Sequence, residues 1–128
     1  ISNSKVINIV NRVTGPYDVN SFAVTAAFAA LKDQSYIDSY VNEVFEARNW
    51  LKTKLEEYKV KHHIGGGNYF LLWPRLGATE AENKLKISGI LVRNMDKKTN
   101  LKGSLRVSIG TLEQMKRFWS SFKLLDKI

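Results

Sequence analysis

The chain contains no cysteine among its 128 residues. That excludes a disulfide scaffold, a zinc centre with thiolate ligands and a cysteine nucleophile, and it fits a reducing compartment such as the cytoplasm. Long apolar runs are also missing. No stretch approaches the ~20 residues that a membrane-spanning helix requires, so no membrane partner is expected. The opening ISNSKVINIV has neither the apolar core nor the small-residue cleavage site of a secretory signal. There is no initiator Met, and the chain reads as a segment of a longer protein. Proline is scarce: only Pro16 and Pro74 occur, and each marks a break. Acidic residues are outnumbered, 12 against 20 Lys and Arg, for a net charge of +8. Such a surplus attracts anions without choosing among nucleic acid, acidic lipid and phosphorylated metabolite. The cations are scattered, and no run reads as a nucleic-acid tail.

What is present suffices for one ordinary core. Hydrophobic residues make up 44% of the chain, and a domain of this length buries roughly two thirds of the surface its unfolded chain exposes. Val6, Ile9, Val10 and Val13 recur at helical spacing, predicting a short helix over 4–13 that the Thr14-Gly15-Pro16-Tyr17 break ends. Asn20 or Ser21 is placed to cap an Ala-rich helix from Phe22 to about Leu31, and Asp33-Gln34-Ser35 makes a turn or cap. The longest helix is expected over 36–59. Its apolar stripe is Ile37, Val41, Val44, Leu51, Leu55 and Tyr58, with Tyr40, Ala47 and Trp50 alongside.

Downstream the pattern turns to strands. NYFLLW, ended by Pro74, reads as a strand buried on both faces. Thr79 and Glu82 have the spacing of a capping box that opens a short helix ending before Gly89. GILVRNM and SLRVSIG are two further β-rich runs, expected as strands near 89–93 and 104–109. Thr111 and Gln114 form a second capping box. It starts a helix carrying Met115, Phe118, Trp119, Phe122 and Leu125 on one side. The expected fold class is α/β, an α+β sandwich with a small three- to four-stranded sheet covered by helices.

Candidate chemistry is sparse. His62 and His63 are adjacent, and neighbours on a strand face opposite ways, so the pair is a poor metal site. Gly65-Gly66-Gly67 neither follows a clear strand nor leads into a helix with Lys-Ser or Lys-Thr, so it fails the nucleotide-loop pattern. YFLLW in a basic domain raises single-strand nucleic-acid binding, but it lacks the basic-Gly-aromatic pattern of RNA-recognition strands. Arg93 and Arg106 carry more. Each interrupts an apolar β-rich run, where a guanidinium is costly unless it reaches water, a carboxylate or a phosphate. One such arginine is commonly a solvent-facing strand residue. Two on strands that pair are better read as anion receptors, because the planar fork takes carboxylate or phosphate through two parallel hydrogen bonds.

At these residues the sequence resembles a known family. GPYDVNSFA, GGGNYFLLWP, SGILVRNM and LKGSLRVSIGTLEQMKRF stand in the order, and close to the spacing, of the C-terminal part of histidinol-phosphate aminotransferases. These are dimeric fold-type I enzymes dependent on pyridoxal phosphate. Gly15 and Asp18 depart from the Arg-Pro-Pro-Tyr-Asn pattern common there, and Asn94 stands where aspartate is commoner. The resemblance implies that Arg106 grips a substrate carboxylate and that Arg93 helps hold a phosphate or second carboxylate. It implies an interdomain helix and crossing over 1–20, with Tyr17 to Asn20 at the crossing, and a small C-terminal domain over 21–128. It places the Schiff-base lysine and the cofactor's anchors in an upstream large domain. The chain alone is then expected to be inactive, with neither catalytic nor cofactor-binding residues of its own, and the partners are the substrate, that upstream domain and a second subunit. The rival readings are an aromatic aminotransferase or a phospho-amino-acid decarboxylase on the same scaffold and, in another class, a basic nucleic-acid-binding module.

Overall fold

A computed structural model describes residues 2–15 and 19–127. Pro16, Tyr17 and Asp18, which hold half of the expected break over 14–17 and half of the expected domain crossing over 17–20, lie outside the described residues. The backbone divides into two compact units, Ile1–Asp38 and Ser39–Ile128.

The first unit is helical. Helix α1 (Ser4–Val10) starts at Asn3, whose side chain accepts from the Lys5 N–H. It is shorter than the spacing predicts. Asn20 caps α2 (Ser21–Lys32), its side-chain oxygen accepting from the Phe22 N–H at 2.8 Å. Asp33 ends α2 and accepts from the Tyr36 N–H at the start of α3 (Gln34–Glu57). Neither α1 nor α2 buries a residue.

In the second unit, α3 turns its apolar side chains to a core only over its C-terminal half. Ala47, Leu51 and Leu55 are buried, while Tyr40, Val41 and Phe45, earlier on the helix, are exposed. The helix ends with Lys59 in the left-handed region (φ 53°) and the Val60 N–H bonded back to the Leu55 carbonyl. Then come β1 (Lys61–Ile64), β2 (Tyr69–Trp73), α4 (Ala78–Ile87), β3 (Arg93–Asn94), a 3-10 turn (Thr99–Leu101), β4 (Leu105–Ser108) and α5 (Leu112–Leu125). The four strands form one antiparallel sheet in the order β1-β2-β4-β3. This is the expected sheet covered by helices, with β1 as its fourth strand.

Register explains what each face does. Ile64, Phe70 and Val107 lie opposite one another, as do His62, Leu72, Leu105 and Asn94. These rows face α3, α4 and α5, and Phe70, Leu72 and Leu105 are wholly buried there with Leu51, Leu55, Leu85 and Phe122. Each such side chain contributes about 1.5–3 kcal/mol through burial. Helix α5 is amphipathic by spacing, with Met115, Phe118, Trp119 and Phe122 buried. Its capping box is complete: the Thr111 hydroxyl accepts from the Gln114 N–H, and the Gln114 side chain accepts from the Thr111 N–H.

Two expectations need correction. The Thr79–Glu82 box does not cap α4: the cap is Gly77 (φ 90°), without a side-chain bond, and Thr79 sits inside the first turn. Tertiary contacts claim its residues instead, since the Thr79 hydroxyl donates to Asp96 and the Asn94 amide donates to Glu82. The 89–93 run pairs as a strand only at Arg93–Asn94. Its first residues close α4 rather than extend the sheet: Gly89 adopts φ 72°, and the Ile90 N–H bonds to the Leu85 carbonyl.

Candidate functional site

The sheet's other face carries the arginines. Side chains opposite one another across a ladder share a face, so the pairings His63↔Leu71, Leu71↔Arg106 and Arg93↔Arg106 make one row across all four strands. Arg93 is exposed and Arg106 half-buried. With Leu91, Val92 and Ser108 they line a hollow of about 290 Å³. The structure therefore brings together the two residues singled out from sequence.

Their electrostatics are uncompensated. Like charges directly opposite on paired strands repel, and among the described residues neither arginine takes part in an ion pair. The Arg106 Nε is buried and has no hydrogen-bond partner. Its guanidinium lies over the Tyr69 ring, 4.4 Å from the centroid. Carboxylates near in sequence are engaged elsewhere: Glu82 accepts from Asn94, and Asp96 accepts from Thr79 and from the Gly103 N–H. Asn94 is thus a donor to Glu82, a contact that an aspartate would turn into repulsion. Two cations thus stand opposite each other on paired strands with no carboxylate paired to either among the described residues.

A larger hollow of about 540 Å³ is lined by Phe45, Arg48, Asn49, Lys52, His62, His63 and Ile64. Its cations already have partners. Arg48 donates to the Gly65 carbonyl at 2.6 Å, and Lys52 lies 3.6 Å from Glu56. His62 is half-buried and bonded through Nδ1 to the Val60 carbonyl, whereas its neighbour His63 is exposed. The two project to opposite faces, as their adjacency predicts.

A lysine poised to form a Schiff base is desolvated, with its pKa lowered. No described lysine is buried. Lys123 donates to the Tyr58 hydroxyl. The pKa of Lys54 is raised above its ordinary 10.5, first by its hydrogen bond to Glu57, so it is the more firmly protonated.

Tyr69, whose ring lies beneath the Arg106 guanidinium, was not singled out by sequence reasoning. Tyr69 was legible as part of a strand. Its place beside Arg106 follows from the β2–β4 register, Tyr69↔Ser108 and Leu71↔Arg106, which composition does not reveal.

Comparison with known proteins agrees with this fold. The family aminotransferase class I and II matches residues 1–122. A histidinol-phosphate aminotransferase of Pelagibacter ubique is 30% identical over 124 residues, covering 94% of this chain and 34% of that protein. The crystal structure of the histidinol-phosphate aminotransferase from Clostridium acetobutylicum superposes with a TM-score of 0.83 at 19% identity, covering 98% of this chain and 39% of that one. The L-threonine-O-3-phosphate decarboxylase of Porphyromonas gingivalis superposes with a TM-score of 0.73 at 18% identity, covering 100% of this chain and 41% of that one. The chain spans about a third of the length of the curated relatives it matches. With most of its length matched by the family, the chain belongs to the class I and II aminotransferases.

Proposed function

We propose that this chain is the substrate-recognition part of a histidinol-phosphate aminotransferase, which exchanges an amino group between histidinol phosphate and 2-oxoglutarate. One observation carries the reading: Arg93 and Arg106 stand opposite each other on β3 and β4, without a carboxylate partner, at the edge of one hollow. Arg106, half-buried and oriented, receives the carboxylate of the amino-acid substrate. Arg93, at the exposed margin, receives the phosphate or second carboxylate. Pyridoxal phosphate supplies the carbanion chemistry in this family. This reading assigns its lysine and anchors to a large domain outside this chain.

The same reading assigns residues 1–20 to the interdomain helix and crossing and 21–128 to the small domain of a cytoplasmic homodimer. The first unit supports it. Val6, Ile9, Val13, Phe22, Phe28 and Leu31 are all exposed, a concentration of apolar surface that marks a contact with further protein. The remaining two thirds of a relative-length chain is the occupant this reading supplies. Among the described residues no helix is long and apolar enough to cross a membrane.

Kinetics of the full-length protein test the assignment. Arg106→Lys keeps the charge but loses the fork. The loss of a charge-assisted hydrogen bond, about 1.5–3 kcal/mol, lowers kcat/KM for glutamate roughly ten- to a hundredfold. Arg93→Ala is expected to penalise histidinol phosphate and glutamate more than a neutral amino acid, because only the former present a phosphate or a side-chain carboxylate. Equal, small losses for all substrates would make the arginines structural. Release of carbon dioxide from a phosphorylated amino acid, in place of amino transfer, would move the assignment to a decarboxylase.

A further inference from the structure

We infer that Tyr69 is a positioning residue that holds the Arg106 fork in its anion-receiving orientation, and that Gly67 is glycine so that the Tyr69 ring can lie there. The inference rests on the reading of Arg106 as a carboxylate receptor.

Three independent features lead to it. The Arg106 Nε is buried without a hydrogen-bond partner, so no polar contact at that atom fixes the guanidinium. What lies against it is the Tyr69 ring, 4.4 Å from Cζ, whose negative π-face attracts the cation without occupying the ends of the fork. A carboxylate in that position would hold the arginine as well but would compete with substrate; the aromatic face does not. Finally, the ring is seated on a glycine. A Cβ at Gly67 would lie 2.7 Å from the Tyr69 Cε1, closer than such atoms pack, and 3.1 Å from Cδ1, so the ring would have to shift. Gly67 does not have a positive φ, so its requirement is space. Its neighbours differ: a Cβ at Gly66 would meet nothing within 4 Å, and one at Gly65 would make ordinary contact at 3.9 Å. Within the triple glycine, only the third has a packing reason to lack a side chain, and that reason is the ring beneath Arg106. Lys61 also lies over an aromatic, 4.9 Å from the Trp73 ring, but Lys61 is exposed at the sheet edge and lines neither hollow.

The test uses the full-length protein and glutarate, a dicarboxylate without an amino group, with its Kd measured by titration calorimetry alongside glutamate kinetics. Tyr69→Leu removes the π-face, and Kd and KM are expected to rise roughly three- to thirtyfold, with kcat changed much less. Tyr69→Phe, which keeps the ring, recovers most of the affinity that Tyr69→Leu loses. Gly67→Ala displaces the ring and weakens glutarate in the same direction by less. Added to Tyr69→Leu it has no further effect, because the ring it would displace is gone. If Tyr69→Leu does not fold, Gly67→Ala and Tyr69→Phe carry the test by themselves. Unchanged glutarate affinity in Tyr69→Leu or Gly67→Ala, while Arg106→Lys weakens it, refutes the positioning role alone. Unchanged affinity in Arg106→Lys refutes the receptor reading and the inference with it. A loss in Gly67→Ala that adds in full to that of Tyr69→Leu assigns the glycine to the backbone and overturns its proposed part.

Discussion

The helices of residues 2–38 leave Val6, Ile9, Phe22, Phe28 and Leu31 in solvent, whereas residues 39–127 place Leu51, Phe70, Leu72, Leu105 and Phe122 wholly inside. Both regions have the apolar side chains for a core. What separates them is a facing layer. In the second region the sheet offers Phe70, Leu72, Leu105 and Val107 on one face, and α3, α4 and α5 close over them. Among its described residues the first region has no such surface within itself: α2 is apolar nearly all round, a composition suited to burial among other elements. Helix α1, at seven residues, is far below the length at which an isolated helix holds in water. Hydrophobic content therefore does not make a core. Complementary layers do.

The largest expected effect exposes that difference with one residue type. Phe122→Ala opens a cavity in a packed core and is expected to cost about 3–5 kcal/mol of unfolding free energy. Phe28 is 61% exposed, and in the 128-residue chain Phe28→Ala is expected to stay within about 0.5 kcal/mol of the parent. Denaturant melts of both variants, in this chain and in the full-length protein, sharpen the point. If further protein covers α2, the Phe28 cost rises toward a core value of about 2 kcal/mol or more in the full-length protein only. A Phe28 cost that stays small in both contexts would remove the docking role of that face.

A smaller effect compares two helix caps. Thr111→Ala removes the hydroxyl that accepts from the Gln114 N–H in the α5 capping box and is expected to lower global stability by about 1 kcal/mol, within the usual 0.5–2 kcal/mol for a cap. Asn20 caps α2 by the same chemistry. Since α2 buries no residue, Asn20→Ala is expected to leave the main transition of the 128-residue chain in place and only reduce helical circular dichroism. Equal shifts of the transition for both variants would show that the two regions unfold as one.

The caps also show what the sequence could reveal. Thr111–Gln114 and Asn20 were legible because the bonds are local, closed within three residues. Thr79–Glu82 has the same spacing and fails, because Asp96 and Asn94 reach the two side chains from across the fold. Strand β1 was illegible for a similar reason. KHHI has no alternation of its own, and it is a strand because it lies against Leu71, Leu72 and their neighbours in β2. Arg93 and Arg106 stood out as charges within apolar runs. Tyr69 did not, because an aromatic in a strand is ordinary until the register places an arginine over it.

The smallest expected effect concerns the helix that passes from one region into the other. Helix α3 finishes with Lys59 at φ 53°, a left-handed conformation that favours glycine, since a Cβ there crowds the following carbonyl. The Lys59 side chain is exposed, so little packing offsets the strain. Its backbone is nonetheless committed, because the Val60 N–H must reach the Leu55 carbonyl to close the helix and bring Val60, 5% exposed, into the core. Lys59→Gly relieves the strain but loosens the unfolded chain, which offsets part of the gain. The net expectation is a stabilisation of about 0.5–1 kcal/mol, read as a higher denaturant midpoint with unchanged m-value. The gain belongs to the core side of α3, so it is expected to be the same size in the 128-residue chain and in the full-length protein, unlike the Phe28 cost. A destabilised Lys59→Gly variant would show that the lysine side chain, and not the turn geometry, is what that helix end depends on.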